Sequence, residues 1–291
     1  MTTQHKKIGR RLAQKSLLIA RQQKSLFILP ILSNALVLLA LFLVLQPIYK
    51  IEAQAWISHN VSPLQYVIFF GLLLLFFLAA HFLTIFFNAA LIVCAARLMN
   101  NETASLVFAL KLALKNAHAL LAWVLIMTTF GIVIRFLEYW MDRWPKLEIA
   151  TGLFSGLSWL IATIFVTPIL MIEKSNPLFA IKRSGEIMRA QWGSPLISKM
   201  GVGSITIVLR LLSLIPILIA LIISGKIIIL IGSILTVVLF LTVSVLHSTA
   251  NAMSTTALYL YATHNKQVLQ FYGEEDLQNV FITRKVTNLT Q

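Results

Sequence analysis

Apolar residues in this chain form long unbroken runs, not the alternating or three-to-four-residue patterns of a soluble domain. The runs cover 26–45, 66–96, 118–137, 149–172, 201–224 and 227–263. Each reaches the roughly 20 apolar residues that a helix needs to cross hydrocarbon about 30 Å thick. The pattern therefore predicts an all-α, polytopic membrane protein with six transmembrane helices. The second and sixth runs, about 31 and 37 residues long, exceed that thickness at 1.5 Å per residue. Their polar residues gather at one end, so both are expected to continue beyond the membrane as helix.

Amphipathic stretches lie between the runs. Segments 102–116 and 176–192 predict helices along the membrane surface. Segment 5–24 carries Lys6, Lys7, Arg10, Arg11, Lys15, Arg21 and Lys24 and no acidic residue, with Leu12, Leu17, Leu18 and Ile19 between them. This is the pattern of a basic interfacial helix. A signal peptide would have a shorter apolar core and a small-residue cleavage site, whereas the run 26–45 ends in Gln46-Pro47 and is expected to stay as the first span. The organisation predicted is a basic amphipathic helix at 1–25, a six-helix transmembrane domain at 26–263 and a tail at 264–291.

Composition sharpens this picture. Of 291 residues 58% are hydrophobic and 12% charged, against about 25% charged in soluble domains. Lys and Arg outnumber Asp and Glu by 24 to 10, a net charge of +14. On a membrane protein that excess points to anionic phospholipid and away from nucleic acid; protein partners are not legible. Six crossings leave both termini on one side, with eighteen basic residues there and four (Lys50, Arg143, Lys146 and Lys226) in the opposite loops at 46–65, 138–148 and 224–226. The positive-inside rule then places both termini in the cytoplasm, in a bacterial inner membrane. The single cysteine, Cys94, excludes an internal disulfide and any Cys-based zinc site, and no cofactor is expected.

Phe108-Ala109-Leu110-Lys111 and Phe179-Ala180-Ile181-Lys182 correspond at an offset of 71. With 5–24 as a third surface helix, the unit would be a surface helix and a transmembrane hairpin, repeated over 5–96, 102–172 and 176–263. The alternatives are true threefold repetition and chance recurrence of common apolar residues.

Chemistry is sparse. Arg210 lies inside the fifth run, about 13 Å deep at 1.5 Å per residue, where an Arg costs about 2.5–3.5 kcal/mol. It is expected to bind an anionic headgroup or substrate, to pair with polar groups on other helices, or to snorkel to the inner surface. Ser244, His247, Asn251 and Ser254 share one face of the sixth span, and His81, Thr84 and Asn88 one face of the second. These stripes read either as interhelical glue or as a polar vestibule with Arg210, His81, Asn88, His247 and Asn251 around it. Arg135 and Glu138 suit a local ion pair. Gly152, Ser155 and Gly156, with Ser158 and Thr163, form a small-residue face, and Pro30, Pro168 and Pro216 are expected to kink three spans.

Phe77-x-x-x-His81 and His247-x-x-x-Asn251 look like two short motifs of the intramembrane glutamate-type prenyl endopeptidases. The spans lack the glutamate that would activate water, and Glu274-Glu275 stands in the tail. Gly152-Leu153-Phe154-Ser155-Gly156 is not a nucleophile elbow, and no P-loop, dinucleotide fingerprint or metal cluster occurs.

Phe86-Phe87-Asn88-Ala89-Ala90-Leu91, Ser158-Trp159, Ala162-Thr163-x-Phe165-Val166-x-Pro168, Glu173, Pro177, Ala180, Lys182-Arg183-Ser184, Trp192-Gly193 and Ala257-Leu258-Tyr259-Leu260-Tyr261-Ala262-Thr263 together resemble a prokaryotic integral-membrane family known only as a domain of unknown function. The resemblance implies six helices and no known activity. That family looks distantly like the membrane domain fused to glycerophosphodiester phosphodiesterases, whose catalytic residues are absent here. The tail departs from the pattern at Phe271-Tyr272-Gly273-Glu274-Glu275-Asp276-Leu277. The expectation is a non-enzymatic, accessory or lipid-handling membrane protein. It would contact anionic lipid through Lys6, Lys7, Arg10, Arg11, Lys15, Lys182, Arg183 and Arg189. The alternatives are a small transporter or flippase using the vestibule and, third, an intramembrane enzyme.

Overall fold

The computed structural model describes residues 3–58, 62–141, 159, 163–191, 206–273 and 277. Its helices are α1 (Thr3–Gln22), α2 (Ile28–Ser58), α3 (Pro63–Met99), α4 (Leu106–Lys115), α5 (Ala117–Met141), α6 (Val166–Ile172), α7 (Pro177–Gln191), α8 (Ile215–Ile223) and α9 (Lys226–Ala262), with 3-10 turns at Lys24–Phe27 and Lys266–Gln270. No strand occurs among the described residues.

Lys24–Lys50, Pro63–Met99, Thr206–Ile223 and Lys226–Ala262 are long and apolar enough to cross a membrane; a fifth span is added if Leu106–Lys115 and Ala117–Val133, bent 67° apart, count as one. The six expected spans are therefore four or five among the described residues. Most of the 149–172 run, including Gly152, Ser155, Gly156 and Ser158, lies outside them. The 118–137 run enters as the second limb of the bent pair.

The two longest helices run on past the apolar window, as their length requires. Dense burial begins at Phe87 in α3 and at Thr249 in α9 and holds nearly to their ends, with Asn88 and Asn251 half-buried within it. Before those points both helices are only partly covered, α3 by α2 and α5 and α9 by α2 and α8, with Phe70, Leu75, Phe77, Ile231 and Leu235 exposed. Around the buried ends pack α1, α4, α6 and the 3-10 turn at Lys266–Gln270. Leu12, Ile19 and Ala20 of α1 are buried on this core while Leu18 stays exposed. The apolar face expected to meet lipid is thus largely spent on protein, because α9 extends far enough to give it a wall. The tail is likewise not free of the core. Val268, Tyr272 and Leu277 are fully buried.

Several local expectations change. The segment after Gln46 is helical to Ser58 with Pro47 inside α2, not a loop from 46. Membrane helices tolerate an interior proline at the loss of one backbone bond. Pro30, Pro168 and Pro216 each sit in the first turn of a helix, where no intrahelical N–H bond is lost. Near Pro216 the span breaks, at Ser213 and Leu214 between 206–212 and α8. Close contact between spans falls on Gly232, where a methyl group would meet Ala220 Cβ at 2.5 Å and the Pro216 carbonyl oxygen at 2.9 Å. The start of α3 is a capping box. Ser62 Oγ accepts from the Gln65 N–H, Gln65 Oε1 accepts from the Ser62 N–H, and Pro63 follows the cap.

Three helices leave the packed end through the same device. After the C-caps Asn100, Glu173 and Thr263 come Asn101, Lys174 and His264 in the left-handed region, at φ 57°, 53° and 63°. Behind two of them the Glu102 and Asn265 N–H groups reach back to the Arg97 and Leu260 carbonyls at 2.8 and 2.9 Å, satisfying last-turn acceptors.

Candidate functional site

The correspondence at offset 71 extends well past four letters. Ser105 Oγ accepts from the Phe108 N–H at 3.4 Å, and Asn176 Oδ1 from the Phe179 N–H at 2.8 Å, so both surface helices are capped at the same register. Ala109 and Ala113 of α4 and Ala180 and Ser184 of α7 are fully buried. Opposite them Val107, Phe108 and Lys111 of α4, and Leu178, Phe179 and Lys182 of α7, are exposed. Each helix thus offers one outward face on which an apolar pair adjoins a lysine. Arg189 adds a second cation to the α7 face, and Lys115 to the α4 face.

The remaining lipid-contact candidates divide. Arg11 is exposed and Lys15 half-buried, whereas the side chains of Lys6, Lys7 and Arg10 lie outside the described ones, as do those of Arg135 and Glu138. Arg183 is engaged by protein, with its Nε 3.8 Å from Glu173 Oε1 and an Nη 3.9 Å from Glu186.

The vestibule candidates are spread over different neighbours. His81 faces the Thr128 hydroxyl of α5 at 3.4 Å. His247 Nδ1 faces the Thr206 hydroxyl at 2.7 Å. Ser244 donates to Asn34 Oδ1 in α2 at 3.3 Å. Ser254 shares a buried hydroxyl cluster with Ser16 of α1, 2.9 Å away, which in turn lies 2.9 Å from Tyr272. Burial pushes the Tyr272 phenol well above its ordinary pKa, only partly offset by the bond to Ser16. The polar stripe of α9 therefore ties that helix to three others and, through Ser16, to the tail. No described hydrogen bond joins Arg210 to His81, Asn88, His247 or Asn251. Its guanidinium lies over the Phe240 ring, 5.7 Å from the centroid, and its buried Nε has no hydrogen-bond partner.

Two polar clusters at the packed end had weak sequence signals. Tyr259 donates to Glu173 at 2.7 Å, linking α9 to the end of α6. Asn265 donates to Asn100 Oδ1, and Asn101 to Gln270 Oε1, each at 2.9 Å, so the left-handed exits of α3 and α9 are laced together by amides. The only hint was that Glu173, Lys182-Arg183-Ser184 and Tyr259 belonged to the same resemblance. No group of three or more His, Cys, Asp or Glu able to hold a metal occurs among the described residues.

Four or five helices of membrane-crossing length and composition, rising from one packed helical end with basic, partly apolar surface helices, define an α-helical membrane protein. The model of a family of unknown function, DUF6159, matches residues 67–269, and the chain belongs to that family. No curated protein and no solved structure matches it.

Proposed function

We propose that this is a non-enzymatic bacterial inner-membrane protein that engages anionic phospholipid at the cytoplasmic leaflet in an accessory or lipid-handling role, with its packed end and both termini in the cytoplasm. The observation that carries the reading is the shared outward face of α4 and α7. An exposed apolar pair beside a lysine lets the apolar groups enter the leaflet while the ammonium meets phosphate. Each such cation contributes about 1 kcal/mol near an anionic surface. Repetition of that face in α4 and α7 at one offset, with caps at the same register and small residues buried at matching positions, supports two copies of the surface-helix unit. The dispersal of the α9 stripe among other helices favours interhelical glue over an open vestibule.

The test is lipid retention. The full chain, extracted in mild detergent, is expected to carry phosphatidylglycerol above its proportion in the source membrane. Lys111→Ala combined with Lys182→Ala should abolish the excess. Retention in the bulk proportion by the unmodified chain would overturn the reading.

A further inference from the structure

A furrow of about 400 Å³ runs along the contact between α2 and α9, lined by four residues of α2 from Ile31 to Leu38 and five of α9 from Val238 to Leu246. On each helix the lining positions recur at the spacing of a single face. Asn34, Leu241 and Val245 are half-buried and form the floor, whereas Ile31, Leu38, Val238 and Leu246 are exposed and form the rims. The furrow therefore opens away from the bundle, toward the lipid around the spans.

One atom of the floor is left without a bond. Ser244 donates to Asn34 Oδ1 at 3.3 Å, and the buried amide nitrogen of Asn34 has no hydrogen-bond partner among the described residues. Burial without an acceptor leaves the desolvation of that N–H group uncompensated. The rest of the lining is apolar except for Thr242, whose hydroxyl donates to the Val238 carbonyl of its own helix at 2.8 Å. No charged side chain lines the furrow, and Lys24, the nearest charged residue along α2, lies roughly 10 Å along the axis from Ile31.

The depth of the free N–H group follows from the two helices. Asn34 comes five residues after the buried Leu29, and Ser244 five residues before Thr249, where α9 enters the packed end. Both place the amide about 7–8 Å to the membrane side of that end. Farther in, past Leu38 and Val238, the furrow offers apolar groups alone.

We propose that this furrow binds diacylglycerol, with its free hydroxyl accepting from the Asn34 N–H group and one acyl chain lying along Leu38 and Val238. A hydroxyl supplies the missing acceptor without carrying charge into hydrocarbon. A phospholipid fits poorly, because its phosphate is held at the surface and the furrow has no cation to draw it inward. Diacylglycerol carries no such charge and sinks to the depth of Asn34. A single furrow takes one chain and leaves the second in the bilayer. The inference uses the packed end only as a depth mark and does not rest on the surface-helix reading, whose residues lie elsewhere.

The experiment is photolabelling of the full chain in phosphatidylcholine nanodiscs that hold a small fraction of diacylglycerol with a diazirine in one chain. Label is expected on 31–38 and 238–246, about fivefold above that left by phosphatidylcholine with the same diazirine chain at the same mole fraction. Asn34→Leu should lower it by about the same factor, and Leu38→Trp should abolish it by filling the furrow. Size exclusion checks that each variant is folded; where Asn34→Leu is not, the comparison of the two lipids decides. Equal labelling by the two lipids overturns the proposal. So does label spread evenly over the spans, or unchanged labelling of either folded variant.

Discussion

The Tyr259 hydroxyl donates to Glu173 Oε1 at 2.7 Å, fastening the longest run of buried residues in α9 to the exit of α6. Glu173 is also met by Arg183 across 3.8 Å, so it serves two elements at once. A hydrogen bond to a charged group contributes about 1.5–3 kcal/mol. Tyr259→Phe should lower stability by about that amount, and Glu173→Gln by less, since an amide oxygen still accepts. Thermal unfolding in detergent, followed by tryptophan fluorescence, measures both. An unchanged melting temperature for Tyr259→Phe would show the bond to be incidental.

At Gly232 the backbones of α8 and α9 approach closely. A methyl group there has no room without moving the Pro216 backbone, so Gly232→Ala should cost about 1–3 kcal/mol. Gly71 and Gly131 have nothing within 4 Å of a built Cβ, and Gly71→Ala and Gly131→Ala serve as controls. The three variants are compared by the temperature at which half of the detergent-solubilised chain is lost from solution.

Burial of the Tyr272 phenol carries a pH signature. Its folded pKa is raised above the unfolded value near 10. The neutral phenol is thus favoured in the fold, and its contribution is fully present below pH 10. Above that, the unfolded chain loses its proton first and stability falls by up to about 1.4 kcal/mol per pH unit. Tyr272→Phe should flatten the difference in melting temperature between pH 9 and pH 11. Tyr272→Ala should instead cost about 3–5 kcal/mol at every pH through the cavity it leaves.

Ala109 and Ala180 occupy equivalent buried positions of α4 and α7. If the two helices descend from one unit, Ala109→Leu and Ala180→Leu should lift their helices off the core to a similar degree, each by overpacking of about 1–3 kcal/mol. Proteolysis of the variants in detergent reads this directly. Strong damage from one and none from the other would argue against equivalent roles.

Orientation follows from labelling in a Cys94→Ala background. A cysteine at Ser62 should react only from outside the cell and one at His264 only from the cytoplasm. The reverse pattern would invert the topology and move every surface helix to the other leaflet.

The long elements were legible because hydrocarbon imposes length. Thirty-seven residues cannot fit a bilayer, so the continuation of α3 and α9 beyond it was readable from the runs alone. The caps of α3, α4 and α7 were equally present in the letters, as Ser62-x-x-Gln65 and as Ser105 and Asn176 three residues before a phenylalanine. What the letters hid was pairing. Ser254 and Tyr272 are eighteen residues apart in sequence, yet Ser16 brings them into one cluster from the far end of the chain. Periodicity assigns His247 and Ser244 to a face but does not say which helix meets that face, and the answer is a different helix for each. Arg210 was identified by its cost, while its aromatic neighbour Phe240 carries no polar signal at all.

From the first residue of α3 to the onset of burial at Phe87 is about 24 residues, or about 36 Å of helix. From the first residue of α9 to Thr249 is about 23 residues, or about 35 Å. Two helices far apart in sequence thus carry the same length ahead of the packed end, slightly more than a bilayer about 30 Å thick, which a tilt of some tens of degrees absorbs. Because both are clamped in one core, neither can change its slope alone. The pair works as a fixed gauge, and a thinner or thicker membrane would tilt the whole packed end rather than a single helix.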